Sequence, residues 1–139
     1  MSFDCLFCKI VEGTIPSYKI AESTNFLAFF DIQPNAEGHT LVIPKKHVTN
    51  LLELPEYLGN EYVEFLQRVA DAVVAGTGSE GFNILMRNGS AAGQEIFHFH
   101  THLLPRKSQD GLTSSFGPHK KFTPEHFVAI QQAIIQRLV

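Results

Sequence analysis

The run His98-Phe99-His100-Thr101-His102, continuing into Leu103-Leu104-Pro105-Arg106, constrains this chain more than any other stretch. Side chains on an extended strand alternate between faces, so three imidazoles at every second position point the same way. The intervening Phe97, Phe99, Thr101 and Leu103 then face a core. An imidazole is a usable base, nucleophile or metal ligand near neutral pH, so such a strand has one reactive face and one packed face. A lone buried histidine usually just satisfies a core hydrogen bond, and two at alternate positions often mark a metal site of the kind built on barrel strands. Three are harder to explain that way. Directly upstream lies Asn88-Gly89-Ser90-Ala91-Ala92-Gly93-Gln94-Glu95, a small-residue loop whose backbone N–H groups can approach an anion closely. Loop and strand together point to phosphate chemistry.

With 139 residues, 44% of them hydrophobic, the chain can bury one core, and residues 1–139 are read as a single domain. A formal charge of −3, from 11 Lys and Arg against 14 Asp and Glu, leaves no basic footprint for a nucleic-acid polymer. No stretch approaches the roughly 20 apolar residues of a membrane span, and the start, with Asp4 and Cys5, lacks a secretory pattern. A cytoplasmic protein acting on a small ligand, with no membrane partner, is expected. In that reducing setting Cys5 and Cys8, spaced Cys-x-x-Cys, favour a metal site over a disulfide. A thioredoxin-like redox site would follow a strand, and none precedes this pair. A closed zinc site needs four ligands, so histidines elsewhere must supply two.

Along the chain, Lys19 to Glu22, Phe26 to Asp31 and Thr40 to Ile43 read as strands between turn signals. From Tyr57 to Ala75 apolar residues recur at helical spacing, with Gly76 as the stop. Gly81 to Arg87 and Ile96 to Leu104 read as two further strands. Residues 107–122 read as a mobile polar loop. A C-terminal helix over 123–138 follows, with Thr123 as N-cap and Pro124 at its first position. Strands followed by helices, without strict alternation, define an α+β domain whose helices cover one face of an antiparallel sheet.

The string from His98 to Arg106, preceded by Gly93-Gln94, resembles the signature of the histidine triad family, with Thr101 a mild departure. Cys5-Leu6-Phe7-Cys8-Lys9-Ile10, Leu27-Ala28-Phe29-Phe30-Asp31-Ile32 and Gly38-His39-Thr40-Leu41-Val42-Ile43-Pro44-Lys45-Lys46-His47 resemble that family's nucleotide-binding branch, often called Hint. Separated motifs in the right order over residues 1–106 are far more specific than one short pattern. The resemblance implies a five-stranded antiparallel sheet with two main helices, joined to a second subunit's sheet in a homodimer, with a purine nucleotide near the histidines. It implies His100 as a nucleophile on the α-phosphorus of a nucleoside 5′-phosphoramidate, through a nucleotidyl-histidine intermediate that water hydrolyses. His102 then contacts a phosphate oxygen or relays a proton to the leaving amine. Gly93 and Gln94 would donate to charged oxygens. Glu95 stands where relatives commonly carry a Ser or Thr hydroxyl. Arg87 replaces an Asn or Gln, a cation that could favour a more anionic substrate. Asp31 would accept from ribose hydroxyls, and Leu6, Phe7, Ile10, Phe29, Phe30 and Ile32 would form the base pocket.

By the same resemblance Cys5, Cys8, His47 and His98 form a structural zinc site, so His98 anchors rather than catalyses. His39, His119 and His126 match no required role and are expected at the surface. The leading expectation is a phosphoramidase that needs no catalytic metal. A dinucleoside polyphosphate hydrolase and a slow nucleotide-binding regulatory module are the alternatives, and a hydrolase using all three triad histidines as metal ligands is a further one.

Overall fold

A computed structural model describes residues 4–112 and 117–139; residues 113–116 of the expected loop lie outside the described residues. The elements run α1 (Leu6–Glu12), β1 (Lys19–Glu22), β2 (Phe26–Phe30), β3 (Thr40–Pro44), α2 (Gly59–Thr77), β4 (Gly81–Met86), β5 (Thr101–Arg106) and α3 (Pro124–Ile135). The five strands form one antiparallel sheet in the order β1-β2-β3-β5-β4. The α+β class and the five-stranded antiparallel sheet agree with the expectation. Among the described residues there are three α-helices, the long α2 and α3 and the seven-residue α1.

Strict alternation on β2 shows why a third helix is needed. Phe26, Ala28 and Phe30 pack with Val42, Phe99, Leu103 and the inner faces of α2 and α3, among them Phe65, Val69, Val73 and Ile134. Leu27 and Phe29 point the other way and join Leu41, Ile43, Cys5, Phe7 and Cys8. All five residues of β2 and of β3 are therefore buried, which requires cover on both faces of the sheet. The expectation of helices on one face alone is corrected: α1 closes the second.

The stretch read as a strand from Ile96 to Leu104 is regular only from Thr101. Before it, carbonyls that a ladder would use are taken by imidazoles: His98 Nε2 bonds Pro44 O at 2.7 Å and His100 Nδ1 bonds His98 O at 2.8 Å. From Thr101 onward the register is fixed on both sides, with His102 opposite Leu41 on β3 and Leu85 on β4. Phe99, Thr101 and Leu103 are buried as expected, but Phe97 is 47% exposed. The long helix stops at Gly78 in the left-handed conformation (φ 65°), not at Gly76. Gly76 lies inside it because a Cβ there would come within 2.7 Å of the Ile134 backbone; its role is close helix packing. Thr123 caps α3 as expected, accepting from His126 N at 3.1 Å.

The expected mobile loop is tied down on both sides of the undescribed residues. Arg106 and Asp110 form a two-pronged pair at 2.8 and 3.0 Å, and residues 117–120 bond to the turn at 33–35. No helix among the described residues is long and apolar enough to cross a membrane.

Candidate functional site

The site lies on the α1 side of the sheet. Cys5 is the N-cap of α1, and its Sγ accepts from Cys8 N at 3.3 Å, so the Cys-x-x-Cys spacing puts both sulfurs at one helix entrance. His98 Nδ1 is 3.3 Å from Cys5 Sγ and 3.6 Å from Cys8 Sγ, and His47 Nδ1 is 3.3 Å from Cys8 Sγ. The four donor atoms all lie within 4.8 Å of one another. Tetrahedral zinc, with Zn–S near 2.3 Å and Zn–N near 2.0 Å, spaces its ligands by about 3.5 Å, and the chemistry of two thiols and two imidazoles suits it. A carbonyl can only accept, so His98 Nε2 carries the proton given to Pro44 O and Nδ1 offers its lone pair to the sulfurs. Burial pushes His98 down to about 4, which keeps that lone pair free. The cluster has the geometry and the donors to hold a metal.

His100 has the opposite tautomer. Its Nδ1–H donates to His98 O, so Nε2 presents a lone pair. The ring packs edge-on against Phe7, with centroids 5.1 Å apart, and against His102 at 5.2 Å. Burial lowers its pKa, offset by the His98 carbonyl and Asp31 and reinforced by Arg87. A neutral, oriented imidazole of this kind is a competent nucleophile.

His102 is oriented by a third histidine. Asn35 N–H donates to His39 Nδ1 at 3.2 Å, and His39 Nε2 lies 3.0 Å from His102 Nδ1. With its Nδ1 occupied as acceptor, neutral His39 carries its proton on Nε2 and gives it to His102 Nδ1. His102 then carries its own proton on Nε2. Burial holds His39 down to about 4 and His102 down to about 3, so both stay neutral at ordinary pH.

The expectation that His39 lies at the surface is thus overturned: it is 1% exposed. Its signal was alternation on β3, since His39, Leu41 and Ile43 share a face and the latter two pack under α1. His119 is exposed, and His126 is partly exposed and pairs with Glu37 at 2.9 Å.

Asp31 directly follows β2. Its Oδ1 accepts from Gln33 N at 2.9 Å and its Oδ2 is 3.8 Å from His39 Nε2. Burial raises its pKa, against the Gln33 N–H and the nearby His119 and His100. Arg87 is the next residue after Met86, which pairs with Thr101, and it acts electrostatically on His100. Its side chain crosses Gly93 (φ 90°), where a Cβ would sit 3.0 Å from Arg87 Cδ.

Gln94 and Gly93 do not stand as expected. The buried Gln94 amide donates to Thr49 O at 2.7 Å and Ile96 O at 3.1 Å, while its Oε1 accepts from Gly89 N. Gly93 N–H closes onto Ser90 O and Gln94 N–H onto Gly89 O. These groups brace the loop, and their donors are engaged within it. Glu95 is exposed. Of the expected base pocket, Phe7 and Phe29 meet edge-to-face at 5.5 Å beside the histidines, Ile10 packs behind them, and Leu6 is 41% exposed. Phe30 faces away, against Tyr18 and Phe127 on the helix side. Ile32 is 71% exposed beyond the strand end.

Five antiparallel strands with His98, His100 and His102 at alternate positions leading into β5 are the sheet and motif of a histidine-triad protein. The HIT domain model matches residues 12–109, and the chain belongs to that family. It is 39% identical to the protein "hit" of Bacillus subtilis over 137 residues, which is 97% of this chain and 94% of that protein. It is 35% identical to the adenosine 5′-monophosphoramidase hnt1 of Schizosaccharomyces pombe, covering 96% of this chain and 98% of that protein. Among solved structures, a zinc-bound histidine triad family protein from Mycobacterium smegmatis superposes with a TM-score of 0.83 at 36% identity, covering 98% of this chain and 96% of that one.

Proposed function

We propose that the protein hydrolyses purine nucleoside 5′-phosphoramidates in two steps through His100. The observation that carries this reading is the His100 Nδ1–H bond to the His98 carbonyl, which leaves Nε2 as a lone pair beside the His102 donor. His100 Nε2 attacks the α-phosphorus and the P–N bond to the amine breaks. Solvent supplies the proton with which the amine leaves, and His102 Nε2–H donates a hydrogen bond to a non-bridging phosphate oxygen. Water then attacks the nucleotidyl-histidine and releases its proton to solvent, while the P–N bond to His100 breaks. The products are an amine and a nucleoside monophosphate, and the His100 imidazole is restored. Asp31 binds the ribose, and Phe7, Phe29, Ile10 and Leu6 face the base.

The phosphoramidase name of a relative similar along its whole length supports this substrate class. Arg87, which shares the His100 environment, favours dinucleoside polyphosphates as a second reading, because their leaving group is anionic. The Cys5, Cys8, His47 and His98 cluster holds structural zinc, which ties α1 to the catalytic strand. Outside β5, the edge of β4 has no strand partner among the described residues, and Phe82 and Ile84 on it are 48% and 39% exposed. Such an edge suits pairing with a second copy into one continuous sheet, and we read the protein as a homodimer.

The test follows AMP release from adenosine 5′-phosphoramidate by wild type and His100→Ala, with diadenosine polyphosphate in parallel. A loss of at least about 10³-fold in kcat/KM is expected for the variant, with an adenylated His100 in acid-quenched wild type. Undiminished turnover by His100→Ala contradicts the assignment.

A further inference from the structure

The C-terminal segment around His119 is the part of the site neighbourhood that the mechanism leaves unused. It is fastened to the turn after β2 by four hydrogen bonds. The buried Asn35 side chain donates to Gly117 O at 2.9 Å and Pro118 O at 3.2 Å. Lys120 N donates to Pro34 O at 2.6 Å, and His119 Nδ1 lies 2.7 Å from Gln33 O. Asn35 is also the residue whose N–H holds His39, so the strap is continuous with the relay to His102.

Gln33 joins Asp31 and His119. Its N–H holds Asp31 Oδ1 and its carbonyl holds His119 Nδ1. A carbonyl accepts only, so Nδ1 carries the proton and neutral His119 offers Nε2 as a lone pair. When it carries a second proton the ring lowers the pKa of both Asp31 and His39 electrostatically, which puts it in the same neighbourhood as the carboxylate. A carboxylate and an imidazole lone pair fixed to the two ends of one peptide residue ask for a ligand with two neighbouring O–H donors.

We infer that His119 is a second sugar-binding residue, which accepts one hydroxyl of a vicinal diol while Asp31 accepts the other, and so selects ribonucleotides over deoxynucleotides. This rests on the nucleotide reading above and extends it to the segment beyond the triad. The competing role for His119 is purely mechanical, holding the strap through Nδ1.

Two substitutions separate the roles. His119→Asn keeps an amide N–H where Nδ1 stands but has nothing at the Nε2 position, whereas His119→Gln places an amide oxygen near it. Calorimetric titration with AMP, 2′-deoxy-AMP and 3′-deoxy-AMP reads the result. Wild type is expected to bind AMP about fivefold tighter than at least one deoxynucleotide, the worth of one hydrogen bond. His119→Asn should lose about that factor for AMP and nothing for the same deoxynucleotide, and His119→Gln should recover most of it. Unchanged AMP affinity in His119→Asn, or an equal loss for all three nucleotides, overturns the inference. Failure of wild type to bind AMP at all overturns the nucleotide reading itself, and the inference with it.

Discussion

His98 and His102 stand four residues apart, both carry their proton on Nε2, and yet their neighbours engage the two rings differently. His98 spends Nε2–H on the Pro44 carbonyl and turns its Nδ1 lone pair to two cysteines. His102 spends its Nδ1 lone pair on His39 and carries its own proton on Nε2. What separates them is which end of the ring the surrounding fold occupies. A metal ligand needs its donor end satisfied by protein, and a proton donor needs its acceptor end satisfied. In the proposed reading the same chemical group is a metal anchor in one place and a hydrogen-bond donor in the other.

Breaking each side should therefore give a different signature. On the working side, His102→Ala should lower kcat by about 10² to 10⁴ with little change in Tm; a matching fall in thermal stability would make it structural. On the anchor side, Cys8→Ser should lose the bound zinc of wild type and drop Tm by more than about 10 °C, measured by metal analysis and calorimetry. Equal zinc in both proteins contradicts the metal site.

The relay comes next in size. His39→Gln should reduce kcat by about 10- to 100-fold, as expected when the group orienting an active-site histidine is lost. It should also alter acid stability. Folded His39 and His102 are held down to about 4 and about 3, whereas unfolded histidines titrate near 6.5, so on acidification the unfolded chain binds protons that the folded one refuses. Stability should fall as pH drops from about 6.5 towards about 4, and fall less steeply in His39→Gln, as read by urea unfolding across that range. The smallest effect is expected for Asp31→Asn, an about fivefold rise in KM for a ribonucleotide with kcat nearly kept; an equal rise for the deoxynucleotide would contradict ribose binding.

Much of this arrangement was legible in the residues. Period-two and period-3.6 patterns located the five strands, α2 and the Thr123-capped α3, because those patterns record which face is buried. Three features were hidden for physical reasons. Helix α1 is seven residues long and capped by a cysteine sulfur, a capping group outside the usual Ser, Thr, Asp and Asn set. The face that each β2 residue takes turns on single-residue parity, so Phe29 meets Phe7 on the α1 side while Phe30 lies across the sheet. His39 follows a glycine turn, and only its register with Leu41 reveals that it reaches His102.

The central claim, that backbone and ring neighbours divide the triad into anchor, nucleophile and donor, is tested most directly by long-range ¹H–¹⁵N NMR of the imidazoles at neutral pH. The account predicts Nε2–H for His98, Nδ1–H for His100 and Nε2–H for His102. An Nε2–H tautomer at His100 would leave no lone pair facing the phosphorus and would contradict it.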